Sequence, residues 1–304
     1  MGINNSSHRI GVTSWVFSNM DIFEIAELLR KNDLGLEIHL NDFDNEVGNP
    51  VGFVQGGVWP RTFDQSQRQR LKEVVMELPV VTVHGTPYDV NIAANNPALR
   101  EESVRQYEEA MNLARDIGAK TTTYHQGKPT SQVVSESIMI SRHVEFAKRI
   151  SRRAEEYGIR TGFENLEKQD DFEYFAKIRQ QVDSPNWGHH LDIAQVIMGR
   201  RGEMSGMPGT ATELVLDWID GLGRETIVEI HAHNVLGWSG VPGGMLQHRA
   251  FEDGNCLDMQ RIFGKLRDIE YEGPIILEIL ESTPEKIIES SVRAKNMICE
   301  VMGR

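Results

Sequence analysis

The chain is organised around the stretch Thr226-Ile-Val-Glu-Ile-His-Ala-His-Asn234, in which apolar and polar residues alternate. This period of two is typical of a β-strand, and it places Glu229, His231 and His233 on one face. Three other strand-like stretches also finish in an ionisable residue: Ile159-Arg-Thr-Gly-Phe-Glu164, Trp187-Gly-His-His-Leu-Asp192 and Pro274-Ile-Ile-Leu-Glu278. Ionisable groups at the ends of four separate strands indicate a chemical site.

Strand-like and helix-like segments alternate along the whole chain. The other four strands are predicted at residues 10–14, 34–39, 80–84 and 120–125. Eight strands that alternate with helices predict a closed parallel (β/α)8 barrel, a TIM barrel of the α/β class. Neither an interdomain linker nor a low-complexity tract interrupts the pattern, so residues 1–304 are predicted to form a single TIM barrel domain.

Two long segments without clear periodicity are predicted to be loops. Residues 40–62 are rich in glycine, asparagine and aromatic side chains, and such a loop in a compact domain is usually a lid or a binding loop. Residues 235–254 are rich in glycine and include His248. Trp238 in this second loop is interpreted as part of a lid or of a subunit contact, which leaves a homo-oligomer open.

The composition is that of an ordinary globular protein, with 39% hydrophobic and 25% charged residues. Lysine and arginine number 32 against 45 acidic residues, and the formal net charge of −13 counts against a nucleic acid partner. No apolar run reaches the roughly 20 residues that span a bilayer, so no membrane partner is expected. Cys256 and Cys299 have no metal-like spacing, which favours reduced thiols and a cytoplasmic location.

Six successive strands end in ionisable groups. In a (β/α)8 barrel the active site lies at the carboxyl ends of the strands. The residues predicted there are His84, His125, Glu164, Asp192, His231 and Glu278. Any one of them is explained by core hydrogen bonding, but several carboxylates in one cavity are costly without a cation. Three carboxylates and an imidazole suit Mn²⁺, Mg²⁺, Co²⁺ or Zn²⁺, and the ligand types do not select among these ions.

Short motifs at the strand ends carry a family resemblance. They are Phe163-Glu-Asn165, His190-Leu-Asp192, His231-Ala-His-Asn234, His248-Arg-Ala-Phe-Glu-Asp-Gly254 and Leu277-Glu-Ile279. In the order and placement of these motifs the chain resembles the xylose isomerase-like TIM barrel superfamily over nearly its whole length. This superfamily includes sugar and sugar phosphate isomerases and epimerases, inosose dehydratases and isomerases, and endonuclease IV.

The resemblance implies roles for four of the strand-end residues. Glu164, Asp192, His231 and Glu278 match the metal ligands that the family shares. In its keto-sugar epimerases the two matching glutamates also exchange protons with the substrate, so Glu164 and Glu278 are the expected catalytic residues. The implied enzyme isomerises or epimerises a small carbohydrate, either a sugar, a sugar phosphate or a related polyol ketone, through an enediolate that one divalent ion stabilises.

Endonuclease IV bears on the expected number of metal ions. His84 and His125 match ligands of an additional zinc ion in that enzyme, so the resemblance leaves open a second metal there or contacts to substrate hydroxyls. The third zinc of endonuclease IV needs a histidine where this chain has Gln195 and an aspartate where it has Leu246. Two of three ligands are missing, which argues against a trinuclear phosphodiesterase.

Other residues near the strand ends are candidate contacts to the substrate or to a second metal. His233 is expected to contact the substrate or to support a ligand, and the supporting role is favoured. His248 and Gln195 belong to the same group of candidates. Trp15 offers an apolar wall to a sugar ring, with core packing as the alternative. Lys128 on a predicted loop is a candidate to bind a phosphate or carboxylate, with a solvated charge as the ordinary explanation.

Three functions besides a metal-dependent isomerase or epimerase stay open. An inosose-type dehydratase is a lyase that would use the same ion and base, because abstraction of the same acidic proton can end in loss of water. A phosphodiesterase that cleaves abasic DNA is the alternative among hydrolases. A carbohydrate-binding barrel without catalysis is the third.

Overall fold

The structure is a computed structural model that describes residues 9–40, 57–87, 89–127, 134–166, 172–198, 208–237 and 245–303. Most of the loop predicted at residues 40–62 lies outside the described residues, and so do Lys128 and Trp238. The strand ends that carry the predicted site residues are all described.

Eight parallel strands close into a barrel. They are β1 (Ile10–Thr13), β2 (Gly35–His39), β3 (Val81–His84), β4 (Thr121–His125), β5 (Arg160–Glu164), β6 (Trp187–Asp192), β7 (Ile227–Ala232) and β10 (Ile275–Leu277). Each strand pairs with the next barrel strand along the chain, and β10 closes the barrel against β1, with Ile275 beside Ile10. The predicted (β/α)8 TIM barrel is therefore confirmed.

An antiparallel hairpin follows β7 directly. It consists of β8 (Asn234–Gly237) and β9 (Met245–Arg249). The sequence prediction of a loop throughout residues 235–254 is wrong at these two strands, because backbone pairing outweighs the loop-like glycine content. The pairing shifts register between Asn234 and Leu236, and opposite this shift His248 adopts a left-handed backbone with φ 59°. Such irregularities re-aim a side chain or a backbone group, here towards the barrel mouth.

Helices cover the outside of the barrel. Among the described residues they are α1 (Ile22–Lys31), α2 (Gln65–Val75), α3 (Pro97–Ile117), α4 (Glu136–Tyr157), α5 (Phe172–Val182), α6 (Gln195–Met198), α7 (Pro208–Leu222), α8 (Met259–Asp268) and α9 (Pro284–Met302). Asp21 and Asp64 begin α1 and α2 with capping boxes. Gly118 and Gly158 end α3 and α4 in the left-handed conformation, which costs glycine little. None of the described helices is long and apolar enough to cross a membrane.

An aromatic layer between sheet and helices fixes the strands that carry the site. Phe146 of α4 stacks on Phe163 of β5 with ring centroids 5.5 Å apart, and Phe163 meets Trp187 of β6 edge-on at 4.7 Å. Full burial of a side chain such as Phe163 stabilises the fold by about 1.5–3 kcal/mol. Because neighbouring strand residues face opposite ways, Glu164 then points into the barrel.

Candidate active site

All six strand-end residues predicted from the sequence lie at the carboxyl end of the barrel: His84, His125, Glu164, Asp192, His231 and Glu278. They are buried except for His125, which is partly exposed. Strand pairing puts Asp192 of β6 beside His231 of β7. The side chains also contact one another across the barrel mouth.

Glu164 stands at the centre of this group, with each carboxylate oxygen facing different imidazoles. Its Oε2 lies 3.0 Å from Nε2 of His84 and 3.0 Å from Nε2 of His125. Its Oε1 lies 3.7 Å from Nδ1 of His231, and that nitrogen is 3.2 Å from Oε1 of Glu278. One carboxylate therefore joins two clusters, the His84 triad (His84, His125, Glu164) and the His231 triad (Glu164, His231, Glu278).

Hydrogen bonds on the far side of each ring decide which nitrogen faces the carboxylates. Nδ1 of His84 lies 2.7 Å from the carbonyl oxygen of Gly85, which can only accept, so Nδ1 donates its proton there. Nε2 of His231 donates in the same way to Oε1 of Glu37 at 3.0 Å. The second nitrogen of each ring thus turns its lone pair towards carboxylate oxygens, and a proton or a cation must lie between them.

Electrostatics favour a positive charge in the His231 triad. Burial alone would raise the pKa of Glu164, but the neighbouring imidazoles, His125 foremost, hold it well below its usual range. Burial would lower the pKa of His231, whereas the carboxylates of Glu278 and Glu37 hold it well above its usual range. Carboxylates that stay ionised around a protonatable imidazole are also suited to a divalent cation, which displaces protons when it binds.

Asp192 is held apart from the His231 triad. Its Oδ1 accepts the backbone N–H groups of Ala194 and Gln195 at 2.8 and 2.9 Å, and its Oδ2 lies 3.3 Å from Nε2 of His233. Nδ1 of His233 accepts the backbone N–H of His248 at 2.9 Å. The proton of the neutral ring therefore sits on Nε2, which donates to Asp192. His233 offers no lone pair to a cation in this arrangement and orients Asp192 instead.

The remaining candidates line the same mouth. The indole N–H of Trp15 donates to Oε1 of Glu278 at 2.7 Å, and the Trp15 ring meets His248 edge-on at 4.9 Å. Nδ1 of His248 lies 3.6 Å from Oε2 of Glu278. Gln195 begins α6, and its side-chain amide donates to Gln247 of β9 at 3.1 Å. Trp15 thus bonds directly to a predicted proton carrier, a contact that its reading as an apolar wall did not include.

Four groups of candidate ligands bring their donor atoms within 4.8 Å of one another among the described residues. They are His84, His125 and Glu164; Glu164, His190 and His231; His233, His248 and Glu278; and Glu37, His231 and Glu278. None of these groups contains Asp192, and Glu164 and Glu278 fall in separate groups, although each of them shares one group with His231. Nδ1 of His231 fits a cation best, because it faces two carboxylates and makes no hydrogen bond to a described residue.

Comparison with known proteins identifies the family. The sequence matches the pattern of the xylose isomerase-like TIM barrel over residues 51–296. The chain belongs to this xylose isomerase-like family. The resemblance inferred from the strand-end motifs is therefore confirmed. No curated protein matches the chain in sequence.

Solved structures extend the comparison to the whole xylose isomerase-like barrel. A D-tagatose 3-epimerase-like protein superimposes with a TM-score of 0.72 at 19% identity, over 97% of this chain and 98% of that one. L-Ribulose 3-epimerase superimposes with a TM-score of 0.67 at 17% identity, over 97% of this chain and 94% of that one. The 3-keto-D-glucoside 4-epimerase from E. coli superimposes with a TM-score of 0.67 at 15% identity, over 95% of this chain and 98% of that one. At such identities the likeness establishes the fold.

Three buried residues in this xylose isomerase-like barrel were given no role from the sequence: Glu37, His190 and Glu229. The ring of His190 lies edge-on to His231 at 3.9 Å. Glu229 accepts a hydrogen bond from Thr123 Oγ1 at 3.4 Å, and burial together with the charge of Glu37 raises its pKa well above the usual range. Strand alternation already puts Glu229 on the same face as His231. The same alternation could have placed Glu37 and His190 on the inner faces of their strands.

Proposed function

We propose that this chain is a divalent-metal-dependent isomerase or epimerase of a small sugar, sugar phosphate or related polyol ketone. The observation that carries the proposal is the approach of two ionised carboxylates to one imidazole nitrogen: Glu278 and Glu164 lie 3.2 and 3.7 Å from Nδ1 of His231. Structural neighbours named as epimerases of sugars support the same substrate class.

Glu164, His231 and Glu278 would hold the ion, with Asp192 as the fourth ligand. Asp192 and Glu278 border each other at His233, whose Nε2 lies 3.3 Å from the first carboxylate and 3.8 Å from the second. Oxygen and imidazole donors of this kind suit Mn²⁺, Mg²⁺, Co²⁺ or Zn²⁺. When bound, the ion supplies a positive charge that polarises the carbonyl group of the substrate.

Glu164 and Glu278 carry the proton in the proposed reaction. Epimerisation beside a carbonyl group needs one group to remove the proton from carbon and another to return a proton to the opposite face. The two glutamates suit this division because they come from β5 and the end of β10, with β6 and β7 between them in the barrel. The indole N–H of Trp15 orients Glu278, and His84 and His125 hold the far oxygen of Glu164.

Residues at the rim would bind the hydroxyl groups of the substrate. His125 and His248 keep 24% and 16% of their side-chain surface exposed, while the ring of His231 is buried at 1%. A polyol that enters the mouth would reach these rings and the Gln195 amide first. Each ring offers a nitrogen that can donate to or accept from a hydroxyl group, and the Gln195 amide can donate through its nitrogen and accept through its oxygen.

The His84 triad supports a place for a second ion. Nε2 of His84 and Nε2 of His125 both lie 3.0 Å from the same oxygen of Glu164. Because Nδ1 of His84 donates to the Gly85 carbonyl group, its Nε2 lone pair is directed at this point. Ligand atoms about 2.0–2.1 Å from a zinc ion would be spaced in this way.

Turnover in D₂O tests the proposed function. The chain is stripped of metal with a chelator, reloaded with Mn²⁺, Mg²⁺, Co²⁺ or Zn²⁺, and incubated separately with ketoses, ketose phosphates and inososes. We expect NMR to detect an epimer or isomer with deuterium beside the carbonyl carbon, and Glu278→Gln to abolish its formation. A dehydrated product would assign the lyase instead. Cleavage of an abasic DNA duplex, or a chain that binds no ion under any loading, would contradict the proposal.

A further inference from the structure

We propose that Glu37 is a positioning residue, which holds the Nε2–H group of His231 and so presents Nδ1 of that ring to the cation between Glu164 and Glu278. This inference rests on the proposed function, since it assigns a role towards the same ion. It adds a residue from β2, a strand to which no ligand was assigned.

The contact between Glu37 and His231 crosses the barrel interior. Glu37 is fully buried on β2, and its Oε1 lies 3.0 Å from Nε2 of His231 on β7. Strands β1 and β10 separate β2 from β7 in the closed sheet. The imidazole is therefore held from the opposite wall of the barrel, by a residue far from the other ligands in sequence.

A hydrogen bond at one ring nitrogen fixes the direction of the other. With Nε2 of His231 donating to Glu37, Nδ1 faces Oε1 of Glu278 at 3.2 Å and Oε1 of Glu164 at 3.7 Å. A carboxylate partner also makes the free nitrogen a better metal ligand, because it increases the basicity of the ring. Orientation and basicity thus both act towards the same cation.

Packing against neighbouring rings does not replace this hydrogen bond. His190 lies edge-on to His231 at 3.9 Å, and the ring of His84 lies 5.8 Å away. These rings confine His231 sideways, but neither of the His190 nitrogens makes a hydrogen bond to a described residue. The directional restraint comes from Glu37.

A purely structural role explains Glu37 poorly. The carboxyl group of Glu229 lies in hydrogen-bonding contact with it, and both side chains are fully buried. Burying two carboxyl groups side by side is costly, and apolar side chains of similar size would fill the same space. The charge is accounted for by its contact with the His231 ring.

Glu229 provides a neighbouring control for Glu37. It is also a fully buried glutamate inside the barrel, and it lies two residues before His231 on β7. Its carboxyl group accepts a hydrogen bond from Thr123 rather than from the His231 ring. Glu229→Gln keeps a neutral group of the same size that can donate to Glu37, and it leaves the carboxylate that accepts from His231 in place.

The test compares Glu37→Gln, Glu37→Asp and Glu229→Gln in the full chain. Zn²⁺ affinity is measured by competition with a chelator, and the Nε2–H resonance of His231 is followed by ¹⁵N NMR with and without zinc. We expect Glu37→Gln to weaken zinc binding about 10–100-fold and to lose the slowly exchanging Nε2–H signal. Glu37→Asp keeps the charge but withdraws the oxygen, so its affinity should fall in between. Glu229→Gln should keep the wild-type values.

Two outcomes overturn the assignment. One is Glu37→Gln with wild-type affinity and an unchanged Nε2–H signal; the other is an equal loss in Glu37→Gln and Glu229→Gln, which would indicate a general effect of altering the buried carboxyl pair. Failure of the proposed function looks different, because the wild-type chain itself would bind no zinc. The Nε2–H resonance of the metal-free wild type then still tests the contact, and its absence contradicts the inference without any folding defect.

Discussion

Two groups of histidines and carboxylates flank the barrel mouth, and they differ in the hydrogen bonds of their imidazole rings although their residue types are similar. On the side of β3 to β5, His84 and His125 direct ring nitrogens at one oxygen of Glu164. On the side of β6 and the hairpin, the backbone N–H of His248 occupies Nδ1 of His233, whose other nitrogen donates to Asp192. The hydrogen bond on the far edge of each ring, more than the residue type, decides whether a histidine can receive a cation.

Glu164→Gln should have the largest effect, since Glu164 belongs to the His84 triad and the His231 triad together. Loss of a proton carrier should lower kcat/KM by about 10³-fold, within the range usual for general acid–base groups. Steady-state kinetics on the ketose that the wild type turns over measures this. Glu156→Gln, on the exposed face of α4, is the control and should keep full activity. Activity of Glu164→Gln within tenfold of the wild type would remove Glu164 from the chemistry.

Ion counting separates the two sides of the mouth. His125→Ala removes one imidazole of the His84 triad and should abolish ion binding there. His248→Ala should leave the number of ions unchanged, because His248 approaches Glu278 only to 3.6 Å and contacts His233 through its backbone. Elemental analysis of zinc-saturated protein gives the count. Equal counts for the wild type and His125→Ala would mean that no ion binds at the His84 triad.

His233→Ala should have a smaller effect of another kind. It removes the donor to Asp192 but no lone pair directed at a cation, so ion affinity should fall about 10–100-fold while the number of ions stays the same. Titration against a competing chelator reports the affinity. A lost ion would show that His233 is itself a ligand, and an unchanged affinity would show that Asp192 does not need it.

The strand ends could be predicted from the sequence because strand alternation and the barrel rule act locally. Glu164, Asp192 and His231 lie at the ends of strand-like stretches, and a parallel barrel brings such ends together wherever they fall in the chain. The hairpin was missed because Gly237 and its neighbours have the composition of a loop, while the pairing that stabilises them is not visible in composition.

The internal geometry of the site could not be predicted. Alternation shows which face Glu37 occupies, but not that it meets His231 across the barrel, since that depends on closure of the whole sheet. The proton positions on His84 and His233 are set by the Gly85 carbonyl group and the His248 N–H group. Every residue carries such backbone groups, so no side chain in the sequence marks them.

The smallest expected effect lies on the outward face of β6, one residue before His190. The ring of His189 packs 4.1 Å from Phe175, and neither of its nitrogens makes a hydrogen bond to a described residue. Burial lowers the pKa of His189 from 6.5 to about 3. The pKa of His189 is lower in the folded chain than in the unfolded chain. The neutral ring therefore contributes its full stability above pH 6.5, and this contribution to the free energy of unfolding is lost as the pH falls towards 3.

His189→Leu should reduce that dependence on pH. Uptake of one proton on unfolding changes the free energy of unfolding by about 1.4 kcal/mol per pH unit. Over the first pH unit below the unfolded pKa, the free energy of unfolding should therefore fall by about 1 kcal/mol less in the variant than in the wild type. Urea denaturation of the metal-free proteins across this range measures the difference. Identical pH slopes would contradict the assignment of a buried, neutral ring.

The hydrogen bond from Trp15 to Glu278 has an optical consequence. The indole N–H lies 2.7 Å from a carboxylate oxygen that the proposed ion would share. Indole emission responds to charge beside the ring. The emission maximum or intensity of Trp15 should therefore change when an ion or a substrate binds in the barrel mouth. The other four tryptophans, among them Trp187 in the aromatic layer, contribute a background that the spectrum of Trp15→Phe measures. Trp15 is thus an intrinsic fluorescent probe at the point where substrate and ion would meet.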